Sequence, residues 1–120
     1  MPRKATVIVV PGIPPSLNDW MNWHHFARSQ GKRQWKEKVM LVCLQDRAKP
    51  IAPPVKVTLT YFFDSHRRRD YDNYSGKFIL DGLVPRVLPD DSSEVIRSLL
   101  IRFDHDPKEP RVEVMIERVA

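Results

Sequence analysis

A chain of 120 residues, 42% apolar and 29% charged, suits one packed domain and excludes wholesale disorder. Its formal charge of +5, from 20 Lys and Arg against 15 Asp and Glu, favours a polyanionic partner. Cys43 stands alone, which excludes an intrachain disulfide and a cysteine-based zinc site, and no apolar run is long enough to cross a bilayer or to form a signal-peptide core, so a soluble cytoplasmic protein with no membrane partner is expected.

Ala5 to Val10 is a β-branched run ended by Pro11-Gly12, which predicts a short buried strand. Pro11 to Pro15 then forms an extended turn, because proline donates no backbone hydrogen bond. Ser16 caps a short helical stretch carrying Leu17, Trp20 and Trp23. A longer helix is predicted over Ser29 to Ala48, where Trp35, Val39, Val42 and Cys43 fall on one face. Val55 to Phe63 alternates apolar and polar residues as a half-buried strand does. Tyr74 to Val84 reads as a second helix burying Ile79, Leu80, Leu83 and Val84. Val95 to Phe103 and Val112 to Val119 read as strands joined by a hairpin loop, Asp104 to Pro110. The order β-α-β-α-β-β over residues 1–120 predicts a single α+β domain with a mixed four-stranded sheet and two main helices.

The chemistry concentrates in residues 67–94. Arg67, Arg68 and Arg69 precede Asp70, Asp72 and Asn73; Lys77 and Asp81 follow, and Asp90 and Asp91 lie in the next turn. Alternation in an extended segment puts Asp70 and Asp72 on the same side. On a helix, Asn73, Lys77 and Asp81 form one polar stripe. Such a helix is only about 16 Å long, so the two acidic pairs can converge. Carboxylates pressed together raise one another's pKa, a conflict that a divalent cation removes. Phosphodiester hydrolysis needs such an ion to activate water and offset charge, and Lys77 is placed to meet the charge that develops. Taken singly, Asp72 is explained as a helix cap, Asp90 and Asp91 as a polar turn, and Lys77 with Asp81 as a surface pair. Their coincidence beside three arginines points to a metal-dependent nuclease. An EF-hand beginning at Asp70 fails, because Ser75 stands where its sixth position requires glycine.

A basic run, then D-x-D-N, a lysine, a D-[AG]-L segment and a D-D turn resembles the RusA-type Holliday-junction resolvases, as does Pro14-Pro15-Ser16-Leu17-Asn18 near the start. The resemblance covers nearly the whole chain, although only residues 67–94 are specific. It implies a magnesium-dependent (manganese can substitute) homodimeric endonuclease that cuts four-way DNA junctions in recombination and repair, a type often encoded by phages and prophages. Carried over by position, Asp70, Asp72 and Asp91 match the metal-binding aspartates, with Asp90 beside them. Lys77 matches the catalytic lysine in role but stands one residue later, with Gly76 as the extra residue. The turn is expected to absorb Gly76, since glycine adopts the unusual backbone angles of a bulge, leaving Lys77 facing Asp70 and Asp72.

Arg67, Arg68, Arg69 and Asn73 are candidate contacts to the DNA backbone. Lys32, Arg33 and Lys36 share one face of the long helix, as either a phosphate-contacting or a merely solvated surface. Trp20, Trp23 and Phe26 read as core or subunit interface ahead of base stacking. His24, His25, His66 and His105 have no partner at ligand spacing, and none is assigned to the chemistry. Two rivals remain: a nucleic-acid-binding protein without activity, and a metal-dependent phosphohydrolase acting on nucleotides. The absence of a glycine-rich phosphate loop lowers the second.

Overall fold

The computed structural model describes residues 5–119, so positions 1–4 and 120 of the expected domain lie outside the described residues. Four strands, β1 (Ala5–Pro11), β2 (Val55–Phe63), β3 (Ile96–His105) and β4 (Arg111–Arg118), make one sheet in the order β1-β4-β2-β3. The β1/β4 and β2/β4 pairs are antiparallel and the β2/β3 pair is parallel, giving the mixed four-stranded sheet expected. Helices α1 (Leu17–Met21) and α2 (His25–Gln45) lie between β1 and β2. The fold is α+β, one domain.

The inner face of the sheet is built by alternation. Ile8 and Val10 of β1, Val112, Val114 and Ile116 of β4, and Val55, Val57, Leu59 and Tyr61 of β2 are fully buried. Val39 and Cys43 of α2 complete this core, as the helical spacing predicts. Burial pushes the Cys43 thiol pKa up, so the lone cysteine is a small core residue rather than a reactive one. Ser16 caps α1 as expected, its Oγ accepting from the Asp19 amide at 3.1 Å.

Two expectations fail for identifiable reasons. β3 and β4 do not form a hairpin, because β4 inserts between β1 and β2. The burial of the strands explains it: β4 hides every second residue completely, as a central strand does, whereas β3 is largely exposed, as an edge strand is. The segment 74–84 is not an α-helix but irregular chain with one 3-10 turn at Leu80–Leu83, a separate 3-10 turn at Tyr71–Asn73 preceding it. Gly76, Gly82 and Pro85 weaken a helix there, and the residue before a proline avoids helical angles; Val84 is accordingly extended.

The Leu80–Leu83 turn is fastened to α2 through Gly82. A Cβ there would lie 2.4 Å from Val39 Cβ, 2.7 Å from Val39 Cγ1 and 2.9 Å from the Lys36 carbonyl oxygen. Two of those atoms belong to a stiff β-branched side chain and one to backbone, so none can give way cheaply. Gly82→Ala is therefore expected to destabilise the protein by about 1–3 kcal/mol, the range for overpacking a core. Chemical denaturation measures this, and an unchanged midpoint would show that the turn is not seated on α2.

Candidate functional site

The loop after β2 rests on an aromatic floor. Tyr61 and Phe63 of β2, Phe103 of β3, and Tyr71 and Tyr74 of the loop pack together, with Tyr71 stacked on Phe103 at 4.3 Å and Tyr74 edge-on to Phe63 at 5.0 Å. The buried Tyr61 hydroxyl donates to the Ser75 carbonyl, and burial raises its pKa far above the ordinary phenol value. Tyr71 and Tyr74 bracket Asp72 and Asn73 in sequence, so pinning their rings downward fixes the polar residues between them. Asp70 is extended and exposed at the start of the first 3-10 turn, and Asp72 is exposed within it.

The N-terminal motif meets this loop. The Asn18 backbone N–H donates to Asn73 Oδ1 at 3.2 Å, so the Pro14–Asn18 segment and the Asp70–Asn73 segment, 55 positions apart, come together. Asn73 thus spends one acceptor inside the protein. Trp20 of α1 continues the contact: its Nε1 donates to the Arg28 carbonyl at 3.0 Å and its ring meets Phe78 edge-on at 5.6 Å.

The second acidic group is organised differently from the sequence expectation. Asp90 Oδ1 accepts from the Asp91 amide at 2.8 Å, and the Ser92 hydroxyl, followed by that amide, holds the Asp90 carboxyl below its ordinary range. Asp90 is a turn-former. Asp91 is brought to Asp81: burial, followed by a hydrogen bond to the Asp81 carboxyl and its charge, raises the Asp91 pKa. Asp81 also lies 3.8 Å from the ammonium of Lys32 on α2. Among the described residues, no three His, Cys, Asp or Glu side chains close on a common point, so Asp70 and Asp72 are not gathered with Asp90 and Asp91 into a ready-made cage. The donor set nevertheless suits a hard cation. It is all carboxylate oxygen, and magnesium needs only one or two such ligands, keeping water and phosphate for the remainder. The Asp81–Asp91 contact is the kind of like-charge pairing that a cation relieves.

The cations divide into inward and outward groups. Arg69 is turned in, its side chain 10% exposed, and donates to the carbonyls of Ser65 and Arg67 and to Ser65 Oγ while lying 4.0 Å over the Phe63 ring. Arg67 and Arg68 face solvent; Arg68 is 3.8 Å from Asp70, an exposed pair of little energetic weight. Lys77 is not on a helix. Its ammonium sits 4.9 Å over the Trp20 ring and makes no ion pair with an aspartate. Gly76 does not use left-handed angles, since Gly12 is the one glycine with positive φ among the described residues. Gly76 is instead required for space, as a Cβ would meet Leu80 Cδ1 at 2.6 Å. Lys32, Arg33 and Lys36 line a groove with Ser29 and Asp81, which joins the basic helix face to the acidic turn.

Sequence reasoning missed Asp81 as the partner of Asp91, Asn18 as the partner of Asn73, and Trp20 as the seat of Lys77. A signal for Asp81 existed in the D-[AG]-L segment, where glycine brings the aspartate's turn against α2. Of the two places expected for Phe26, the core is not the one it occupies. It stands 73% exposed, flanked by the rings of His24 and His25.

A family model described as Endodeoxyribonuclease RusA matches residues 11–117. No curated protein matches the chain.

The Asp81–Asp91 contact has a measurable consequence. A carboxyl whose folded pKa is raised favours folding below its unfolded value, about 3.9 for aspartate, and loses that contribution as pH rises through the folded value. Asp81→Asn removes one of the causes and reduces the loss. Its thermal midpoint is therefore expected to equal or exceed wild type near pH 7.5 in chelator and to converge with wild type near pH 4. A midpoint clearly below wild type at pH 7.5 would mean that Asp81 serves mainly through Lys32.

Proposed function

The chain belongs to the RusA endodeoxyribonuclease family, and from that membership we propose that it resolves four-way DNA junctions by magnesium-dependent phosphodiester hydrolysis, manganese being able to substitute. The observation that carries this reading is the contact between the Asn18 and Asn73 segments, which unites the two family motifs at one exposed acidic loop. Asp70, Asp72 and Asp91 are the proposed ligands, with Asp90 shaping the turn that presents Asp91. When bound, the ion's contribution is to activate water and offset charge at the scissile phosphate.

The chain's own residues bind and orient. Arg67 and Arg68, both exposed, hold the backbone of the DNA, while Arg69 fixes the loop that carries them. Lys77 is the proposed electrostatic partner of the departing charge, reached by swinging from the Trp20 ring toward the phosphate. A cation–π contact at a partly exposed ring is worth only about 0.5–1 kcal/mol, so that exchange is cheap. Lys32, Arg33 and Lys36 extend the cationic surface along α2 from Asp81. Two symmetric cuts require two sites related by a two-fold axis, so the working form proposed is a homodimer.

The open arrangement of the aspartates favours one competing reading, a junction-binding protein that does not cut. Cleavage of a synthetic junction with and without magnesium separates the two. Asp70→Asn, Asp72→Asn and Asp91→Asn are each expected to abolish cleavage while junction binding in chelator holds or tightens, because each removes an anionic ligand and relieves repulsion against phosphate. Asp90→Asn should retain partial activity. Wild-type cleavage rates in the Asp70 or Asp72 variant would end the metal assignment.

The helix face is tested by salt. Neutralising Lys32, Arg33 and Lys36 together should flatten the slope of log affinity against log salt by about 2–3, near 0.9 for each phosphate that the variant no longer neutralises. An unchanged slope would leave that face as solvated surface only.

A further inference from the structure

The parallel strands β2 and β3 end together, with Phe63 opposite His105. Beyond Phe63 the chain folds back over the strand ends, and the Asp106 amide donates to the Phe63 carbonyl at 2.8 Å to close the edge. His66, from the returning loop, lies flat against His105, ring centroids 3.6 Å apart and planes 29° from parallel. Arg69 holds this geometry, because its three hydrogen bonds to Ser65 and Arg67 clamp the residues on either side of His66. The histidine pair is thus a built feature rather than two loop side chains meeting by accident.

Around the pair is a concave site of about 310 Å³, lined by Ser65, His66, Arg67 and His105 over Phe63 and Phe103. The charges facing it can be assigned one by one. Arg69 is committed to the loop and to Asp64 at 3.6 Å. Asp104 turns Oδ1 to the His105 amide at 2.8 Å, and Asp106 is paired with Arg111 at 2.7 Å. Arg67, His66 and His105 are left as the donors available to a ligand. Stacked imidazoles cannot both become cations without repulsion, and an oxyanion bridging their N–H groups relieves it. His66 and Asp70 are four positions apart, a reach of at most about 14 Å for extended chain, so a phosphate gripped here belongs to the same stretch of DNA as the one to be cut.

We propose that the His66–His105 site binds a backbone phosphodiester flanking the scissile one, gripping it with both imidazoles and Arg67. This rests on the DNA-cleaving reading above. A cationic donor grips an oxyanion more strongly than a neutral one, so binding that depends on imidazoles is expected to strengthen as pH falls.

The test measures binding of a fluorescently labelled four-way junction by anisotropy in chelator, at pH 6 and pH 8, for wild type, His66→Gln, and the double variants His66→Gln/His105→Gln and His66→Phe/His105→Phe. From pH 8 to pH 6, wild-type affinity is expected to rise about tenfold more than that of the glutamine pair, and the wild-type salt slope at pH 6 to be steeper by about one. His24 and His25 are common to all variants and cancel in the comparison. Equal pH dependence and equal slopes would overturn the proposal, as would wild-type behaviour of the phenylalanine pair, which would reveal base stacking instead. Because His66 is exposed, the single glutamine variant carries the test, with about half the effect, if a double variant does not fold. Wild type that fails to bind the junction at either pH would remove the DNA reading itself and this site with it, an outcome distinct from junction binding that the histidine variants leave unchanged.

Discussion

The hydrogen bond from the Tyr61 hydroxyl to the Ser75 carbonyl, made above a floor of packed aromatic rings, is the constraint on which the acidic loop depends. Tyr61 stands on the central strand β2 and is fully buried, so its phenol must find a partner or forfeit about 1–3 kcal/mol. Taking Ser75 as that partner draws the loop onto the strand ends. Tyr71 and Tyr74 follow by ring packing, and Asp70 and Asp72 are turned out to solvent. A core requirement thereby orients groups with no stake in the core.

The same loop does not continue as a helix. Ser75 has given its carbonyl to Tyr61, and Gly76 serves as a close-packing residue whose carbonyl closes the turns to Ile79 and Leu80. The second turn is instead seated by Gly82 on Val39, which sets Asp81 beside Lys32 of α2 and beside Asp91. One close backbone contact therefore joins the basic helix to the acidic turn. Repulsion between carboxylates is tolerated there because a lysine and solvent share it.

Around this frame the cations have separate duties. Arg69 is spent on ordering its own loop, which frees Arg67 and Arg68 for solvent and presents His66 to His105. Lys77 rests on Trp20, itself fixed by Arg28 and Phe78, so its ammonium is located without being neutralised. Arg69 and Lys77 are positioned by aromatic rings and backbone carbonyls, whereas Arg68 and Lys32 meet Asp70 and Asp81 directly.

Alternation and helical spacing are properties of a few neighbouring residues, and what depended on them was legible in the sequence. Strand β2, the cap at Ser16, the apolar face of α2 and the family motif at 67–94 could all be read directly. What tertiary structure alone decided were matters of pairing at a distance. The insertion of β4 between β1 and β2 follows from which strand buries both neighbours' edges, and local pattern carries no record of that. The pattern of Ile79, Leu80, Leu83 and Val84 fits a helix, yet the same side chains are turned to the core from one 3-10 turn and its flanking residues, because periodicity reports which residues go inward and not the backbone that takes them there. Asp81 meeting Asp91, Asn18 meeting Asn73, and His66 lying on His105 are contacts between segments whose spacing in sequence says nothing of their distance in space. Residue chemistry named the participants, and close packing at Tyr61 and Gly82 chose their partners.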